Sequence, residues 1–385
     1  MKIYSTNNGL RNGLQLLSGI TKINTGNRWI YDNKTVYNQI TNWQNQIPWI
    51  KPYYAMKSNP SSQIINDIVS HPYTIGLDVA SMNELNLALI HTNNKNIIYT
   101  NPHIINHELE QYKTKTLNVK VIDSIGELKK ILTINILPKI LIRMKSNNTL
   151  GNTCFDTKFG ASHSEIIEIL EYSKQHNIKI NGISFHIGSG GDYDRSLAYY
   201  MSYLNAKPYL EYIKTEMKIK KPILNIGGGL LYNTDLYKVL GWTKVLPYEI
   251  IAEPGRYFSE PSFSLIVQII AITSNGIFLD NGIYHELNCY QRDHWKFPDI
   301  TQYMNNNTDV VKVVKKYKMM KVFGPTCDSE DTLDMCRLPI NIQVGDWIIL
   351  PNMGAYTSAG ITNFNGIYGA SHKETLLTKL FTTVK

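Results

Sequence analysis

Between residues 50 and 253 the chain alternates, eight times over, a short continuous apolar run with a segment of helical spacing. The runs are Tyr53–Met56, Thr74–Ala80, Asn96–Thr100, Lys120–Ser124, Lys139–Met144, Gly182–Gly188, Ile223–Gly227 and Glu249–Glu253. Between them lie SSQIINDIVS, SMNELNLALIH, HELEQYK, IGELKKILT, SHSEIIEILEYSKQH, the long stretch Arg195–Met217 and TDLYKVLG. An unbroken apolar run suits a strand buried on both faces, and a 3.6-residue period suits a helix with one buried face. Eight such βα units in about two hundred residues match the size of a (β/α)8 TIM barrel, an α/β fold.

The pattern changes after Pro261. FSLIVQIIAITSNGIFLDNG, KMMKVFG and GDWIILPNMGAY are strand-like, separated by Gly and Asn turns. They predict a second, mostly β domain. The first 30 residues also read as short strands and are expected to pair with it, since chain ends often meet. A chain of 385 residues is long for a single core, which agrees with two domains.

Bulk composition narrows the function. Hydrophobic residues make up 43% and charged residues 18%, and no apolar run reaches membrane-spanning length. The N-terminus lacks an apolar core followed by a small-residue cleavage site. Four cysteines without a CxxC pair predict neither a disulfide framework nor a zinc cluster, so no metal is expected and a reducing cytosol fits. The net charge is +8, but the lysines are scattered. The densest run, KVVKKYK at 312–318, reads as a solvated face or an edge strand. Neither nucleic acid nor membrane is an expected partner.

In a TIM barrel the chemistry lies at the C-terminal strand ends. In YYAMKSNP, Lys57 follows the first apolar run just before a turn. By itself it reads as a desolvated, reactive amine or as a lysine snorkelling to solvent. The other strand ends add Asp78, Arg143, His186 and Ser189 of FHIGSG, Gly227, Gly228 and Gly229 of NIGGGL, and Glu253 and Arg256 of AEPGRYF. Three glycines after a strand let backbone N–H groups cradle a phosphate, although the same run also makes a plain turn. Barrel phosphate sites are built from the loops after strands seven and eight, where the glycines and Arg256 fall. Arg256 otherwise reads as half of an ion pair, and His186 as a hydrogen-bonded core histidine. A reactive lysine facing a phosphate site suggests pyridoxal phosphate held as a Schiff base. Glu253 is then the acid for the ring nitrogen and His186 the group that stacks on the ring. No Walker motif and no HExxH occurs, so nucleotide hydrolysis and zinc proteolysis lack support.

YYAMKSNP, GLDVASMNEL, TKFG, FHIGSG, NIGGGL, AEPGRYF, GPTCDSEDTL and MGAYTSAGITNFNG run in order from about residue 50 to 366. Together they resemble the pyridoxal-phosphate-dependent decarboxylases of basic amino acids with the alanine-racemase fold, above all ornithine decarboxylases and their viral relatives. The resemblance implies a cofactor-binding barrel over residues 33–262 and a β-sandwich-like domain from 1–32 and 263–385. It implies a cytoplasmic head-to-tail homodimer with shared active sites. Lys57 would hold the cofactor, with Asp78 nearby, His186 on the ring face and Arg143 beside it, and Glu253 on the ring nitrogen. Ser189, Gly227, Gly228, Gly229, Arg256 and Tyr356 would hold the phosphate. Cys327 would reach the partner's site as the acid that reprotonates Cα. Asp328 would reach the partner's site as well and, with Asp293 of that chain, would hold the substrate's distal amine, and Phe364 would line the substrate site. Lys158 would pair across the dimer with Asp331.

The chain departs from the family pattern at Asp280-Asn281-Gly282, usually Asn-Asp-Gly, and at Arg292, usually aromatic. If the segment around Arg292 is extended, Arg292 faces away from Asp293. If it is a helical turn, the charge approaches the pocket. The implied reaction is decarboxylation of L-ornithine to putrescine in polyamine biosynthesis, with arginine or lysine as alternative substrates. A catalytically inactive, antizyme-inhibitor-like binding protein would have lost Lys57, Cys327 or the phosphate loops, and all are present. A racemase would not need GPTCDSED, and a single-barrel cofactor carrier would lack the β domain.

Overall fold

The computed structural model describes residues 29–115, 117–134, 137–146, 157–189, 194–305, 310–312, 316–367 and 369. The expected strands within residues 1–28, and positions 313–315 of the lysine run, lie outside the described residues. The chain divides into two units: Tyr37–Phe258, and Met1–Val36 together with Ser259–Lys385.

The first unit is a closed barrel of eight parallel strands: β2 (Ile50–Ala55), β3 (Gly76–Val79), β4 (Ile97–Tyr99), β5 (Val119–Ile122), β6 (Lys139–Arg143), β7 (Ile180–Ser184), β8 (Ile223–Asn225) and β9 (Glu249–Ala252). Pairing of Ile50 with Ile250 closes the ring. All eight apolar runs are therefore barrel strands. Tyr53, Ile98, Val119, Val121, Leu141, Ile223 and Ile251 form a buried cluster. Every strand ends somewhat before its apolar run does, and β7 falls shortest, stopping at Ser184 rather than Gly188, while β8 stops at Asn225 rather than Gly227. Phe185, Ile187 and Ile226 beyond them stay buried under the rim loops, so hydrophobicity outlasts the sheet there.

The helical segments also form, from Ser62–Ser70 to Leu236–Leu240. Their starts are capped as the sequence chemistry requires. Ser81, Ser124, Ser162, Asp194 and Asp235 each accept a backbone N–H of the following turn. Each such cap stabilises by about 1 kcal/mol. One helix escaped the sequence reading, Asn33–Gln46. Ile40, Trp43 and Ile47 are fully buried at i, i+3 and i+7, and Trp43 Nε1 donates to Ile50 O at 2.9 Å. Its Asn and Gln content masked that stripe.

The strands of the second unit are β1 (Trp29–Tyr31), β10 (Phe263–Ile272), β11 (Gly276–Leu279), β12 (Gln302–Met304), β13 (Val310–Lys312), β14 (Tyr317–Phe323), β15 (Thr332–Pro339) and β16 (Trp347–Leu350). Among the described residues they form one eight-stranded sheet in the order β13-β12-β16-β10-β11-β14-β15, with β1 also pairing β10. The second domain is thus mostly β. Trp29–Tyr31 joins its sheet through pairs such as Ile30 with Ser264. No described helix is long and apolar enough to cross a membrane.

Candidate active site

Lys57 sits one step beyond β2, on the 3-10 turn Met56–Ser58, rather than on the strand itself. Ser58 Oγ donates to Ala55 O at 2.9 Å and the Tyr54 hydroxyl to Asn59 O at 2.8 Å, which fixes the turn. Gly255 lets the AEPGR segment close on it: a Cβ at Gly255 would lie 2.9 Å from Ser58 Cβ. The lysine is half-buried at the barrel rim.

Two buried carboxylates share its surroundings. Asp78 ends 2% exposed, and Thr100 Oγ1 donates to its Oδ1 at 2.5 Å. Glu253 is 6% exposed; Asn225 Nδ2 donates to its Oε1 at 2.6 Å, and its own N–H donates to Gly227 O at 2.8 Å. Burial pushes the Asp78 carboxyl well above the usual carboxylate range, and the neighbouring Glu253 adds to this, while Lys57 and the Thr100 hydroxyl oppose it. Glu84 shifts the same way through burial, opposed by the Ala80 N–H, which it accepts at 2.7 Å, and by Lys57.

His186 completes the cluster. Its Nδ1 accepts the Gly188 N–H at 3.0 Å, so the neutral ring carries its proton on Nε2. Burial holds its pKa well below the ordinary value of 6.5, and the charges of Lys57 and Arg143 lower it further. Arg143 ends β6, with its guanidinium carbon 5.0 Å from the centre of the Phe159 ring.

The glycine run packs against neighbouring backbone that a side chain would strike. Gly227 and Gly229 have φ of +68° and +106°, conformations that L-residues rarely adopt. A Cβ at Gly227 would run into Phe185 O. One at Gly228 would come within 2.8 Å of Glu253 O, and one at Gly229 within 2.6 Å of Gly188 O. The N–H of Gly227 donates to Asn225 Oδ1 at 3.0 Å. The carbonyls of Gly228 and Gly229 are held by the Tyr199 hydroxyl at 2.7 Å and Arg195 Nε at 3.0 Å. Ser189 follows β7, and Arg256 opens the short helix Arg256–Ser259 after β9.

The β unit assembles a second set. Cys327 is exposed, unlike an inert core thiol, and its N–H donates to Asn365 Oδ1 at 2.9 Å. The Tyr284 hydroxyl donates to Asp328 Oδ2, and the Tyr284 ring stacks on Phe364 with centroids 4.3 Å apart. That hydrogen bond, with the Glu330 N–H, holds the Asp328 carboxyl below the usual range. Asp293 is half-buried and caps the helical turn Cys289–Arg292, so of the two conformations considered for this segment the helical one is realised. Arg292 Nη1 lies 2.9 Å from where a Gly360 Cβ would be. Tyr356 has a left-handed backbone, φ +57°. Asp331 is 2% exposed and accepts from Ile283 N (2.9 Å), Thr326 N (3.1 Å) and Thr326 Oγ1 (2.7 Å). In the departing triplet, Asp280 Oδ1 accepts Gln268 N, and Asn281 Nδ2 donates to Glu286 Oε2.

Residues 33–260 match the family model for the pyridoxal-dependent decarboxylase, pyridoxal binding domain. The chain belongs to the pyridoxal-dependent decarboxylases. It is similar to the chloroplastic ornithine decarboxylase of Nicotiana glutinosa, with 31% identity over 88% of this chain and 81% of that protein. Ornithine decarboxylase of Candida albicans is 28% identical over 90% of this chain and 82% of that protein. The arginine decarboxylase of Paramecium bursaria Chlorella virus has a similar structure, with a TM-score of 0.81 and 26% identity, covering 92% of this chain and 99% of that one.

The cofactor of this decarboxylase family suits the barrel rim. Two buried carboxylates call for a cationic partner, and a protonated ring nitrogen supplies one. Gly228 and Gly229 carry no side chain to stand between their backbone and a phosphate. Thr100, Asn225, Glu84 and Tyr284 are site residues that the sequence reading missed. A polar residue inside or just after a buried run was the available signal for Thr100 and Asn225.

The histidine gives a pH signature. Below about pH 6.5 the unfolded chain binds a proton on this side chain that the folded one does not. The unfolded state then holds more protons, so stability of the cofactor-free protein falls as pH drops through that range. The contribution is up to about 1.4 kcal/mol per pH unit. His186→Gln is expected to remove that slope in urea unfolding followed from about pH 7 to 5. An unchanged slope would mean the ring is charged in the folded protein.

Proposed function

We propose that this decarboxylase converts L-ornithine to putrescine and works as a cytoplasmic head-to-tail homodimer whose two sites each draw on both chains. What carries the reading is an acid pair drawn from two chains, Asp293 of one at the end of its helical turn and the partner's Asp328, whose carboxyl the Tyr284 hydroxyl holds below the usual range. The named relatives include ornithine decarboxylases. Two carboxylates suit one distal ammonium.

The cofactor, when bound, supplies a sink for the electron pair left as carbon dioxide departs. Lys57 Nζ would be the amine that holds it. Glu253, oriented through Oε1 by Asn225, would keep the ring nitrogen protonated. Neutral His186 would stand at the ring without adding charge. The N–H groups of Gly228 and Gly229, with Ser189, Arg256 and Tyr356, would hold the phosphate. Cys327 Sγ, from the partner chain, would give a proton to Cα. Phe364 lines the substrate site beside Tyr284, the ring on which it stacks.

Arginine is the second reading, because the viral arginine decarboxylase is a similar structure. One methylene discriminates by only about 1–3 kcal/mol, so lysine is expected as a weak second substrate and arginine as the poorest. Equal concentrations of the three amino acids in competition, with products separated by chromatography, decide the order. Asp293→Ala is expected to cut ornithine kcat/KM by about a hundredfold, as when a buried charge loses its partner. Agmatine as the main product would overturn the ornithine assignment.

A further inference from the structure

From Arg143 a chain of contacts runs through Phe159, Gly160 and Asp123 to His103. Asp123, just past β5 and 8% exposed, accepts the Gly160 N–H on Oδ2 at 3.1 Å. Its Oδ1 lies 3.0 Å from His103 Nε2. Gly160 belongs to the TKFG turn and has φ +100°; a Cβ there would come within 2.8 Å of Lys145 N, so the turn lies close against the end of β6. Ala161 N donates to Arg143 O at 2.8 Å, tying the turn to the arginine's own backbone. The Phe159 ring is placed by this turn. It carries the Arg143 guanidinium at 5.0 Å and Lys158 Nζ at 5.0 Å, and the His103 ring lies 6.1 Å away.

The loop bearing His103 is itself held down. Asn101 Nδ2 donates to Ala80 O at 3.0 Å, and Ile104 N to Glu127 Oε2 at 3.3 Å. Lys130 Nζ reaches Ile104 O at 2.8 Å. Lys120, fully buried on β5, donates to Asn101 O, to Pro102 O at 3.0 Å and to Val121 O at 2.8 Å. Its ammonium also lies 4.7 Å from the centre of the Tyr99 ring. So much anchoring in a rim loop holds one end of the chain of contacts still; the other end is the guanidinium whose charge acts on His186.

We propose that Asp123, braced by His103, is a positioning residue for Arg143: it fixes the Phe159–Gly160 turn, and so the aromatic face on which the guanidinium lies in the cofactor pocket. Asp123 itself reaches neither cofactor nor substrate. A cation held on an aromatic face is confined in direction as well as in distance. Losing the turn's anchor frees Arg143 to move, and a displaced charge beside the cofactor weakens binding even where the barrel stays folded. The inference rests on the proposed place of Arg143 in the cofactor pocket.

The test is a titration of the cofactor-free full-length chain with pyridoxal phosphate, read by absorbance, in a double-mutant cycle. Asp123→Ala and Arg143→Gln are each expected to raise Kd about tenfold, within the range for residues in one contact network. The double variant should match Arg143→Gln alone, because Asp123 acts through that arginine. Asp123→Asn, which keeps an acceptor oxygen for Gly160, should recover most of the affinity. If Asp123→Ala does not fold, Phe159→Leu removes the aromatic face instead and should show the same lack of additivity with Arg143→Gln. Effects that multiply to about a hundredfold overturn the proposal, as does an unchanged Kd for Asp123→Ala. An unchanged Kd for Arg143→Gln overturns the placement of Arg143 in the pocket, and the proposal with it.

Discussion

Lys57→Ala is expected to lower kcat by at least about a thousandfold, the scale seen when a covalent catalytic group is removed. It should also abolish trapping of the cofactor by borohydride. The lysine is carried on a turn fixed by Ser58, Tyr54 and Gly255, and its charge acts on Asp78, Glu84 and His186. An amine so placed is held among the groups the cofactor would touch. Lys57→Arg separates charge from nucleophilicity: it keeps the cation that Asp78 and Glu84 respond to and should be nearly as inactive as the alanine variant. Mass spectrometry of the reduced wild-type protein should place the cofactor on the peptide containing Lys57. Finding it on another lysine would falsify the assignment.

Mixing inactive variants should restore activity. Lys57→Ala and Cys327→Ala homodimers are each expected to be nearly inactive. If each site takes Lys57 from one chain and Cys327 from the other, a mixed dimer has one site with both wild-type residues and one with neither. Random exchange makes half of the dimers mixed, and half of their sites intact, so about a quarter of wild-type activity returns. Exposure of Cys327, and its backbone tie to Asn365, fit a thiol presented outward rather than packed in a core. Cys327→Ala alone should also divert some turnovers to an aldehyde, through protonation at the wrong carbon. If subunit exchange is demonstrated and no activity returns, both residues serve one chain's site.

The eight strands were legible because a parallel barrel buries both faces of every strand, which writes continuous apolar runs into the chain. The helix Asn33–Gln46 was not, since its apolar stripe is narrow and its other positions are Asn, Gln, Lys and Thr. The expected strand ends overshoot, most of all at β7, for a related reason. Burial beneath rim loops keeps Phe185 and Ile226 apolar after the sheet has ended. Lys120 shows the converse: a fully buried lysine inside an apolar run, made tolerable by three backbone carbonyls that no local pattern announces. Burial there lowers its pKa to about 7.

Residue identities at the strand ends, read in order, were enough to name Lys57, Asp78, Arg143, His186 and Glu253, because a TIM barrel delivers every strand end to one rim. Which of these groups meet, and in what protonation state, was decided only by closure of the barrel. Thr100 reaches Asp78 across 22 residues and Asn225 reaches Glu253 across 28. In the β unit, Tyr284 reaches Asp328 across 44. Such hydrogen bonds join neighbouring strands and facing loops, and sequence separation carries no trace of them. The shifts of Asp78 and His186 follow from the same cause: burial and neighbouring charge exist only once distant segments have been folded onto one another.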